Sequence, residues 1–446
     1  MGRIVHIWSG LTVALLMLAG CGDDELILPG DRLDLRDRAE SSTAAIAVTG
    51  PGMAADGTLP LVLPPARVNA DWTHPGGSAT HVIAHPALAA TLEPFWSASI
   101  GDGNSRGHRI TADPVVADGR VFTMDSRALV SAFTTSGQRI WARDLTPPSD
   151  RSDDASGGGI AVSGATVFVT NGFGVLTALD AASGAVRWEQ RLNSLAAGAP
   201  AVADGRVYVA TRNGAGWAID AATGRIEWEV LGRAGDAGLV GGSGPSVAGP
   251  LVVFPFASGQ LLGVGGNTGG QVWAASVAGR DQSRAFSAIG DITGAPVVDD
   301  TRFYAGSHAG RVAAVSRASG QVEWTADVGA LNPLWLGGNA LFFVTPDNAL
   351  VRLDAATGQQ VWSVELPFFE ARRASRIKST FVHYGPVLAG GRLVVASDDG
   401  MLRMFDPNTG AALSETELGR GAARNPVIAG GVLYLVMDNG QIRAFR

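Results

Sequence analysis

The only cysteine of the chain, Cys21, stands where its thiol could carry a lipid. It ends the sequence LAGC, and an apolar run over residues 8–20 leads up to it. The run is too short to span a bilayer comfortably, and small residues before a cleavage point suit a signal peptidase. This pattern is typical of a bacterial lipobox, whereas an incidental cysteine would leave the apolar run unexplained. We therefore predict a lipoprotein signal peptide over residues 1–20 and lipidation of Cys21.

Residues 21–91 predict a lipid-anchored flexible tether. Asp, Arg, Pro, Ala and Gly dominate this stretch, and it lacks strand periodicity. A flexible chain of this length spans roughly 45–50 Å, which would hold a folded head away from a membrane. The part at 71–86 is richer in aromatic and histidine residues and is a candidate for packing on the head. Gly22, rather than Asp, after the cysteine permits export to the outer membrane by the sorting rule of enteric lipoproteins.

Three histidines in this stretch, His74, His81 and His85, raise the possibility of a metal site. Their spacing matches no common zinc pattern, and no cysteine or nearby carboxylate completes a ligand set. A motif without its structural context is weak support for a site. We therefore favour histidines that pack or lie at the surface, and we predict no metal.

Other chemical motifs are weak. The glycine-rich sequence GVGGNTGG at 263–270 could cradle a phosphate, but it leads into a strand rather than a helix, so a turn is favoured. No G-x-S-x-G elbow occurs. The net charge is −7 and no basic stripe runs along the chain, which argues against nucleic acid as a partner. These observations predict a protein that is not an enzyme and has no cofactor.

A basic stretch at 368–381, FFEARRASRIKSTF, differs from its surroundings. Arg372, Arg373 and Arg376 lie there between Phe368 and Phe369 on one side and Phe381 on the other. A hydrated loop is one interpretation, because loop charges are usually solvated. The other is a contact for an acidic surface of a partner protein.

The rest of the chain repeats one unit of strands and turns, as residues 199–231 illustrate. PAV, RVYVA, WAID and RIEWEV are four short strands, separated by ADG, RNGAG and DAATG. Asp-Gly and Asn-Gly favour hairpin turns because glycine accepts a positive φ. Three successive hairpins form a four-stranded antiparallel sheet, which is one blade of a propeller.

The third turn of each unit ends in a glycine, and a tryptophan stands four residues later in six of the seven complete units. The glycines are Gly137, Gly184, Gly224, Gly269, Gly320, Gly358 and Gly410. The tryptophans are Trp141, Trp188, Trp228, Trp273, Trp324 and Trp362, and Ser414 takes this place in the seventh unit. A buried tryptophan removes about 150–250 Å² from water, so we expect each one to lock the outer strand of its blade to a neighbour.

An eighth unit begins near residue 425 and stops at Arg446 after three strands. The segment PFWSASI at 94–100 can supply the missing fourth strand, with Trp96 in the expected place. Sharing a blade between the chain ends closes the ring and leaves no sheet edge open. The sequence therefore predicts an all-β, eight-bladed propeller of four-stranded antiparallel blades over residues 92–446.

The repeated phrase ALDAxTGxxxW resembles the repeat of the quinoprotein-like eight-bladed propellers. One branch comprises dehydrogenases that depend on pyrroloquinoline quinone (PQQ), and the other is the BamB family, the lipoprotein subunits of the β-barrel assembly machinery. The enzymes need a vicinal cysteine pair, ligands for Ca²⁺ and an Asp base, and this chain has no cysteine pair. The lipobox, the tether and the propeller length favour the BamB family.

The BamB resemblance implies a scaffold without catalytic residues that faces the periplasm from the outer membrane. It implies docking on the POTRA domains of a BamA-type subunit and help in the assembly of outer-membrane proteins, its clients. Two family contact loops fall at 236–245 and 288–296. Leu239 and Asp291 match the family pattern there, whereas Val240 replaces an arginine. A quinoprotein dehydrogenase and an envelope glycan-binding propeller remain alternatives, the latter with Trp217 and Trp335 as aromatic candidates.

Overall fold

The computed structural model describes residues 59–83, 85–235, 242–279, 290–369 and 379–446. Within these ranges the chain forms 32 β-strands in eight four-stranded antiparallel sheets. No helix in these ranges is long and apolar enough to cross a membrane.

Each sheet is one blade, and the strands are numbered along the chain. Blade 1 contains β2 (Val115–Ala117), β3 (Arg120–Met124), β4 (Leu129–Thr134) and β5 (Arg139–Asp144). Blade 2 contains β6 (Gly158–Ser163), β7 (Thr166–Asn171), β8 (Val175–Asp180) and β9 (Val186–Arg191). Blade 3 contains β10 (Ala201–Ala203), β11 (Arg206–Ala210), β12 (Ala215–Asp220) and β13 (Ile226–Leu231), and blade 4 contains β14 (Ser246–Ala248), β15 (Leu251–Pro255), β16 (Gln260–Gly265) and β17 (Gln271–Ser276). Blade 5 contains β18 (Val297–Val298), β19 (Arg302–Ser307), β20 (Arg311–Ser316) and β21 (Val322–Ala326). Blade 6 contains β22 (Trp335–Gly337), β23 (Ala340–Val344), β24 (Ala349–Asp354) and β25 (Gln360–Glu365). Blade 7 contains β26 (His383–Ala389), β27 (Arg392–Ser397), β28 (Met401–Phe405) and β29 (Ala412–Glu417). Blade 8 contains β30 (Val427–Ala429), β31 (Val432–Val436), β32 (Gln441–Phe445) and β1 (Pro94–Ser99).

The ring closes through blade 8, where the two ends of the propeller share one sheet. The strand order there is β1-β32-β31-β30, and Trp96 is paired with Ala444. In the other seven blades the four strands follow one another in chain order. The predicted all-β, eight-bladed propeller closed by an N-terminal strand is therefore confirmed.

Burial decreases from the inside of each blade to its outer strand. The inner and middle strands are buried on both faces, as in β7, because each blade packs between two others. The outer strands are largely exposed, and all six residues of β29 are exposed. Apolar side chains of adjacent blades form shared clusters, such as Phe122, Trp141 and Ile160 between blades 1 and 2. The core is thus a circle of interfaces between blades.

The third turn of a blade is built by its aspartate and its glycine, as blade 2 shows. The carboxylate of Asp180 accepts hydrogen bonds from the amides of Ala182 and Ser183 and from the Ser183 hydroxyl. Gly184 has a φ of 70° and lies against the Trp141 ring of the preceding blade. The Nε1–H of Trp141 donates a 3.1 Å hydrogen bond to the carbonyl of Ala181. The outer strand of blade 1 is thereby attached to the third turn of blade 2.

The same contact recurs around the ring. In each case the Nε1–H of a tryptophan donates to a carbonyl in the third turn of the next blade. The tryptophans that make this contact are Trp96, Trp141, Trp188, Trp228, Trp273 and Trp324. Trp362 lies against Gly410, but its buried Nε1 has no partner in the described part of the chain. Blade 7 has Ser414 at this position, paired with Met404.

Residues 59–91, apart from Ala84, run along one face of the ring, and we call this segment the hoop. Its backbone and side chains contact the first turns of successive blades, or the strands that flank those turns. The contacts in chain order are Val62 with Asn339 of blade 6, Asn69 with Gly430 of blade 8, Trp72 with Val116 of blade 1, Thr73 with Val162 of blade 2, His74 with Val202 of blade 3, Ala79 with Val247 of blade 4 and Pro86 with Gly390 of blade 7. Val82 packs on the cluster shared by blades 5 and 6.

The last part of the hoop also binds an earlier part of it, near Arg67. The Arg67 amide donates to the His85 carbonyl at 2.9 Å, and the Ala87 amide donates to the Arg67 carbonyl at 2.8 Å. The sequence predicts a flexible tether over residues 21–91 in which 71–86 could pack on the head; in the structure the described part of 71–86 does pack there, and the other described residues of 59–91 also belong to the folded head. Hydrogen bonds to blade turns and burial of Trp72, His74 and His81 hold them there. The predicted remainder of the tether, residues 21–58, and the predicted signal peptide lie outside the described residues.

Candidate partner-binding face

The two faces of the ring carry different connections. Strands alternate in direction within a blade, so the first and third turns emerge on one face and the second turns and inter-blade loops on the other. The hoop occupies the first-turn face. The opposite face, which we call the loop face, carries the connections between blades, including the long ones after β13, β17 and β25. Most of the irregular connections between blades therefore lie on the loop face.

The predicted contact residues belong to these three connections. Leu239 and Val240 lie in the connection after β13, and Arg372, Arg373 and Arg376 lie in the connection after β25. All five are outside the described residues, as is Cys21. The ends of their segments, however, are described.

The arginine-containing segment starts and ends on a short stem. Phe369 forms an antiparallel bridge with Thr380, and the Phe381 amide donates to the Phe368 carbonyl at 2.9 Å. The Asn348 amide group donates to the Phe381 carbonyl at 2.8 Å, which joins the stem to blade 6. The two ends of segment 370–378 are therefore held together at the loop face.

A buried histidine supports the same stem. His383 is fully buried, and its Nε2 donates to the Pro367 carbonyl at 2.8 Å. Its Nδ1 lies 2.5 Å from the hydroxyl of Ser397, which also accepts a hydrogen bond from Arg403. Burial lowers the pKa of His383 to about 4, so the ring is neutral at neutral pH. A neutral imidazole has one donor and one acceptor nitrogen, which fits these two partners.

Asp291 is described, and its side chain is buried, with 6% exposed. The Asp291 carbonyl accepts a hydrogen bond from the His308 amide at 3.0 Å, which fixes the entry into blade 5. This position does not offer the carboxylate to the surface of a partner. The residue can shape the loop but is poorly placed to make the contact that the family pattern implies.

Two exposed leucines on the loop face escaped the sequence analysis. Leu231 ends β13 and is 77% exposed, and Leu195, in the connection between blades 2 and 3, is 43% exposed. The Arg212 amide donates to the Leu195 carbonyl, and the Gly232 amide donates to the Gly214 carbonyl. Both leucines therefore flank the second turn of blade 3, residues 211–215. No repeated motif includes them, so nothing in the sequence distinguishes them beyond their apolar character near the ends of regular units.

The centre of the ring contains a cavity of about 260 Å³. The hoop forms part of its wall through Trp72, Pro75, Gly76 and His81, and Trp72 stacks on Trp335 with ring centroids 5.9 Å apart. The carboxylate of Asp113 also lies there, hydrogen-bonded to Arg424 and Asn425. These residues do not fit a quinone cofactor with Ca²⁺, because the chain has one cysteine and Asp113 is engaged by two side chains.

The hoop histidines serve as hydrogen-bonding groups in the interior. His74 Nε2 accepts from the Val202 amide at 3.0 Å, and burial, with a smaller effect of His81, lowers the pKa of His74 to about 3. His85 Nδ1 donates to the Pro64 carbonyl, and its Nε2 accepts from the Gly391 amide. Among the residues that the structure describes, no group of three or more His, Cys, Asp or Glu is placed to hold a metal ion.

The two tryptophans considered for glycan binding are both in the core. Trp217 is 5% exposed and Trp335 is 6% exposed. Neither ring is available to stack on a sugar at the surface.

The architecture defines the class of protein: an eight-bladed propeller of the PQQ-like type, with its blades joined by contacts between tryptophan and glycine. The family model described as outer membrane protein assembly factor BamB matches residues 126–364 and 352–446. The outer membrane protein assembly factor BamB of Escherichia coli K12 is 30% identical over 330 residues, which cover 72% of this chain and 80% of that protein. The one of Xanthomonas campestris is 31% identical over 364 residues, covering 78% and 86%. The chain belongs to the BamB family.

Solved structures share the fold. BamB from Moraxella catarrhalis superposes with a TM-score of 0.66 and 20% identity, covering 80% of this chain and all of that chain. Quinohemoprotein alcohol dehydrogenase from Comamonas testosteroni superposes with a TM-score of 0.66 and 18% identity, covering 85% and 81%. Both likenesses concern the fold alone.

Proposed function

We propose that this protein is a non-enzymatic scaffold subunit of an outer-membrane β-barrel assembly complex. It is lipid-anchored through Cys21, faces the periplasm and docks on the POTRA domains of a BamA-type subunit to assist the insertion of outer-membrane proteins. Membership of the BamB family carries this proposal. The division of the ring into a face covered by its own hoop and a face with long loops supports binding through the loop face.

The docking surface in this proposal combines two parts of the loop face. The exposed leucines beside the second turn of blade 3 supply an apolar contact. The basic segment after β25, with Arg372, Arg373 and Arg376, supplies a complement to an acidic surface. Apolar groups at the centre of an interface and charges at its rim are a common arrangement, in which the charges mainly affect the association rate.

The apolar part is tested by Leu231→Arg. We expect recovery of the BamA-type subunit in affinity purification from detergent-solubilised envelopes to fall at least roughly tenfold, because a buried interface does not tolerate an unpaired charge. Val272→Arg is the matched control, since Val272 is also exposed, at 57%, but stands at the start of an outer strand next to a third turn. Equal recovery with both variants would remove Leu231 from the docking surface.

The basic part is tested by reversing the charges of Arg372 and Arg373 to glutamate. We expect weaker recovery of the BamA-type subunit, and a loss that shrinks as salt is raised, because screening reduces the contribution of exposed charges. Arg225→Glu, an exposed residue of a third turn, is the control. Undiminished recovery would leave the segment as a hydrated loop, and absence of any BamA-type protein from the wild-type sample would refute the function itself.

A further inference from the structure

The ring has one blade whose sheet is not continuous in sequence. In blades 1 to 7 the outer strand follows its neighbour through a third turn, whereas in blade 8 the outer strand β1 pairs with β32 from the other end of the chain. The pairing joins five residue pairs, from Pro94↔Phe445 to Ser99↔Gln441. We call the seam the junction at which β30–β32 of blade 8, from one end of the propeller, meet β1 and blade 1, from the other end. If the seam opened, it would expose two sheet edges.

The hoop crosses the seam at its first-turn end. The Asn69 amide group donates to the Ile428 carbonyl, and the Gly430 amide donates to the Asn69 carbonyl, both at 2.7 Å, in blade 8. Three residues later, Trp72 exchanges two backbone hydrogen bonds, of 2.7 and 2.9 Å, with Val116 of blade 1. Trp72 is 1% exposed, so this contact is shielded from water. Four consecutive residues therefore hold both blades that border the seam.

A second contact crosses the seam at the loop-face end. Asp113 precedes the inner strand of blade 1, and Arg424 and Asn425 precede the inner strand of blade 8. The Arg424 Nε–H donates to the Asp113 carboxylate at 2.7 Å, and the Asn425 amide group donates to it at 3.0 Å. Asp113 is 5% exposed, so the carboxylate depends on these partners for hydrogen bonding.

We infer that residues 69–72 and the Asp113–Arg424–Asn425 cluster are the two halves of a latch that keeps the inner strands of blades 8 and 1 together. The β1–β32 pairing closes the outer part of the seam, and the latch closes its inner part at both faces. Local opening of the ring at the seam requires these three connections to break, together with the apolar packing that blades 8 and 1 share and the hydrogen bond from the Asn104 amide to the Asp438 carbonyl. The hoop acts here as a closing device of the propeller itself, independently of any lipid anchor or partner.

Amide hydrogen exchange measured by mass spectrometry on the full chain tests the latch with Asn69→Ala. We expect peptides that cover β1 and β32 to exchange about five- to tenfold faster than in the wild type, because loss of the partly buried hydrogen bond from Asn69 to Ile428 lowers the free energy of local opening. Asn339→Ala is the matched control. Its amide group also binds the hoop, accepting from Val62 and donating to Pro60, but in blade 6, which blade 7 separates from the seam. It should leave exchange in β1 and β32 unchanged.

A second pair of variants tests the loop-face half and covers the case in which Asn69→Ala does not fold. Asp113→Asn should also accelerate exchange in β1 and β32. Asp299→Asn is its control, because the Asp299 carboxylate binds Thr301, Arg302 and Tyr304 within blade 5 alone. The latch is refuted if seam variants and controls change exchange in β1 and β32 equally. It is also refuted if the seam variants accelerate exchange evenly in all blades.

Discussion

Trp228 shows how one side chain joins two blades. Its Nε1–H donates to the Gly266 carbonyl of blade 4 at 3.0 Å. Its ring lies 5.9 Å from Tyr208 within its own blade and 6.1 Å, edge-on, from Phe254 of the next blade. The indole therefore combines apolar burial, aromatic contacts and a hydrogen bond in a single residue.

We predict that Trp228→Ala lowers the free energy of unfolding by about 3–5 kcal/mol, which is typical of a large aromatic removed from a packed interface. Trp228→Phe keeps an aromatic ring but removes the donor to Gly266, so it should cost about 1 kcal/mol more than a conservative apolar exchange elsewhere in the core. Denaturant unfolding measures both. A thermal midpoint within a degree of the wild type for Trp228→Ala would contradict the packing described.

The residue spacing alone predicted where these tryptophans stand, because their distance from the third-turn glycine is constant. It left Ser414 unexplained, and the structure supplies the reason. A tryptophan of blade 7 would pack on the third turn of blade 8. That position has no covalent turn, since Glu93 and Arg446 exchange backbone hydrogen bonds there between the two chain ends. A tryptophan at 414 would have no glycine to receive it.

At the level of elements, the third turn works because its glycine has no side chain. Gly269 has a φ of 66°, and a Cβ there would lie 2.8 Å from the Trp228 ring. Gly119, in a first turn, has a φ of 70°, but a Cβ there would meet nothing within 4 Å. The two glycines thus share the backbone conformation and differ in the contact.

We predict that Gly269→Ala destabilises the protein by about 1–3 kcal/mol more than Gly119→Ala. Both substitutions incur the cost of a left-handed residue, but only the first also forces the indole of the preceding blade to move. Denaturant unfolding of the two single variants and of the double variant Gly269→Ala/Trp228→Phe checks this. Equal effects of the two alanine substitutions would show that the turn does not constrain the tryptophan.

The strands were predictable because they alternate and repeat, whereas of the hoop only 71–86 could be identified as a candidate for packing, and its path across the blades could not be predicted. Its contacts use backbone carbonyls and amides together with single side chains such as Asn69 and His74, which follow no period. The proline, glycine and charged residues of 59–91 are the reason why the composition predicted that this stretch is part of the tether. The three histidines, interpreted as packing or surface residues, are buried, which only the positions of the surrounding turns determine.

At the scale of the whole molecule, buried neutral histidines connect stability to pH. Burial lowers the pKa of His74 to about 3 and of His383 to about 4, and it also lowers the pKa of His81. A free histidine titrates near 6.5, so below that pH the unfolded chain binds protons that the folded chain does not. The stability that these histidines contribute is therefore fully present above pH 6.5 and is lost as the pH falls from 6.5 towards their lowered pKa values.

We predict that the free energy of unfolding decreases with falling pH over this window, by up to about 1.4 kcal/mol per pH unit for each such histidine. His74→Gln should reduce the slope, because glutamine offers an acceptor to the Val202 amide but does not titrate. Urea unfolding at pH 7, 6, 5 and 4 measures the slope for both proteins. Parallel curves would mean that His74 is not a source of the dependence.

The hoop contacts all eight blades, most of them at their first turns. This arrangement has an evolutionary consequence. Repeat proteins commonly change length when recombination adds or deletes one unit. In this propeller such an event would change the circumference of the ring, whereas the hoop has a fixed length of 33 residues, 59–91. Asn69 and Trp72 would then no longer contact blades 8 and 1 together. We therefore expect a relative that keeps the hoop to keep eight blades as well.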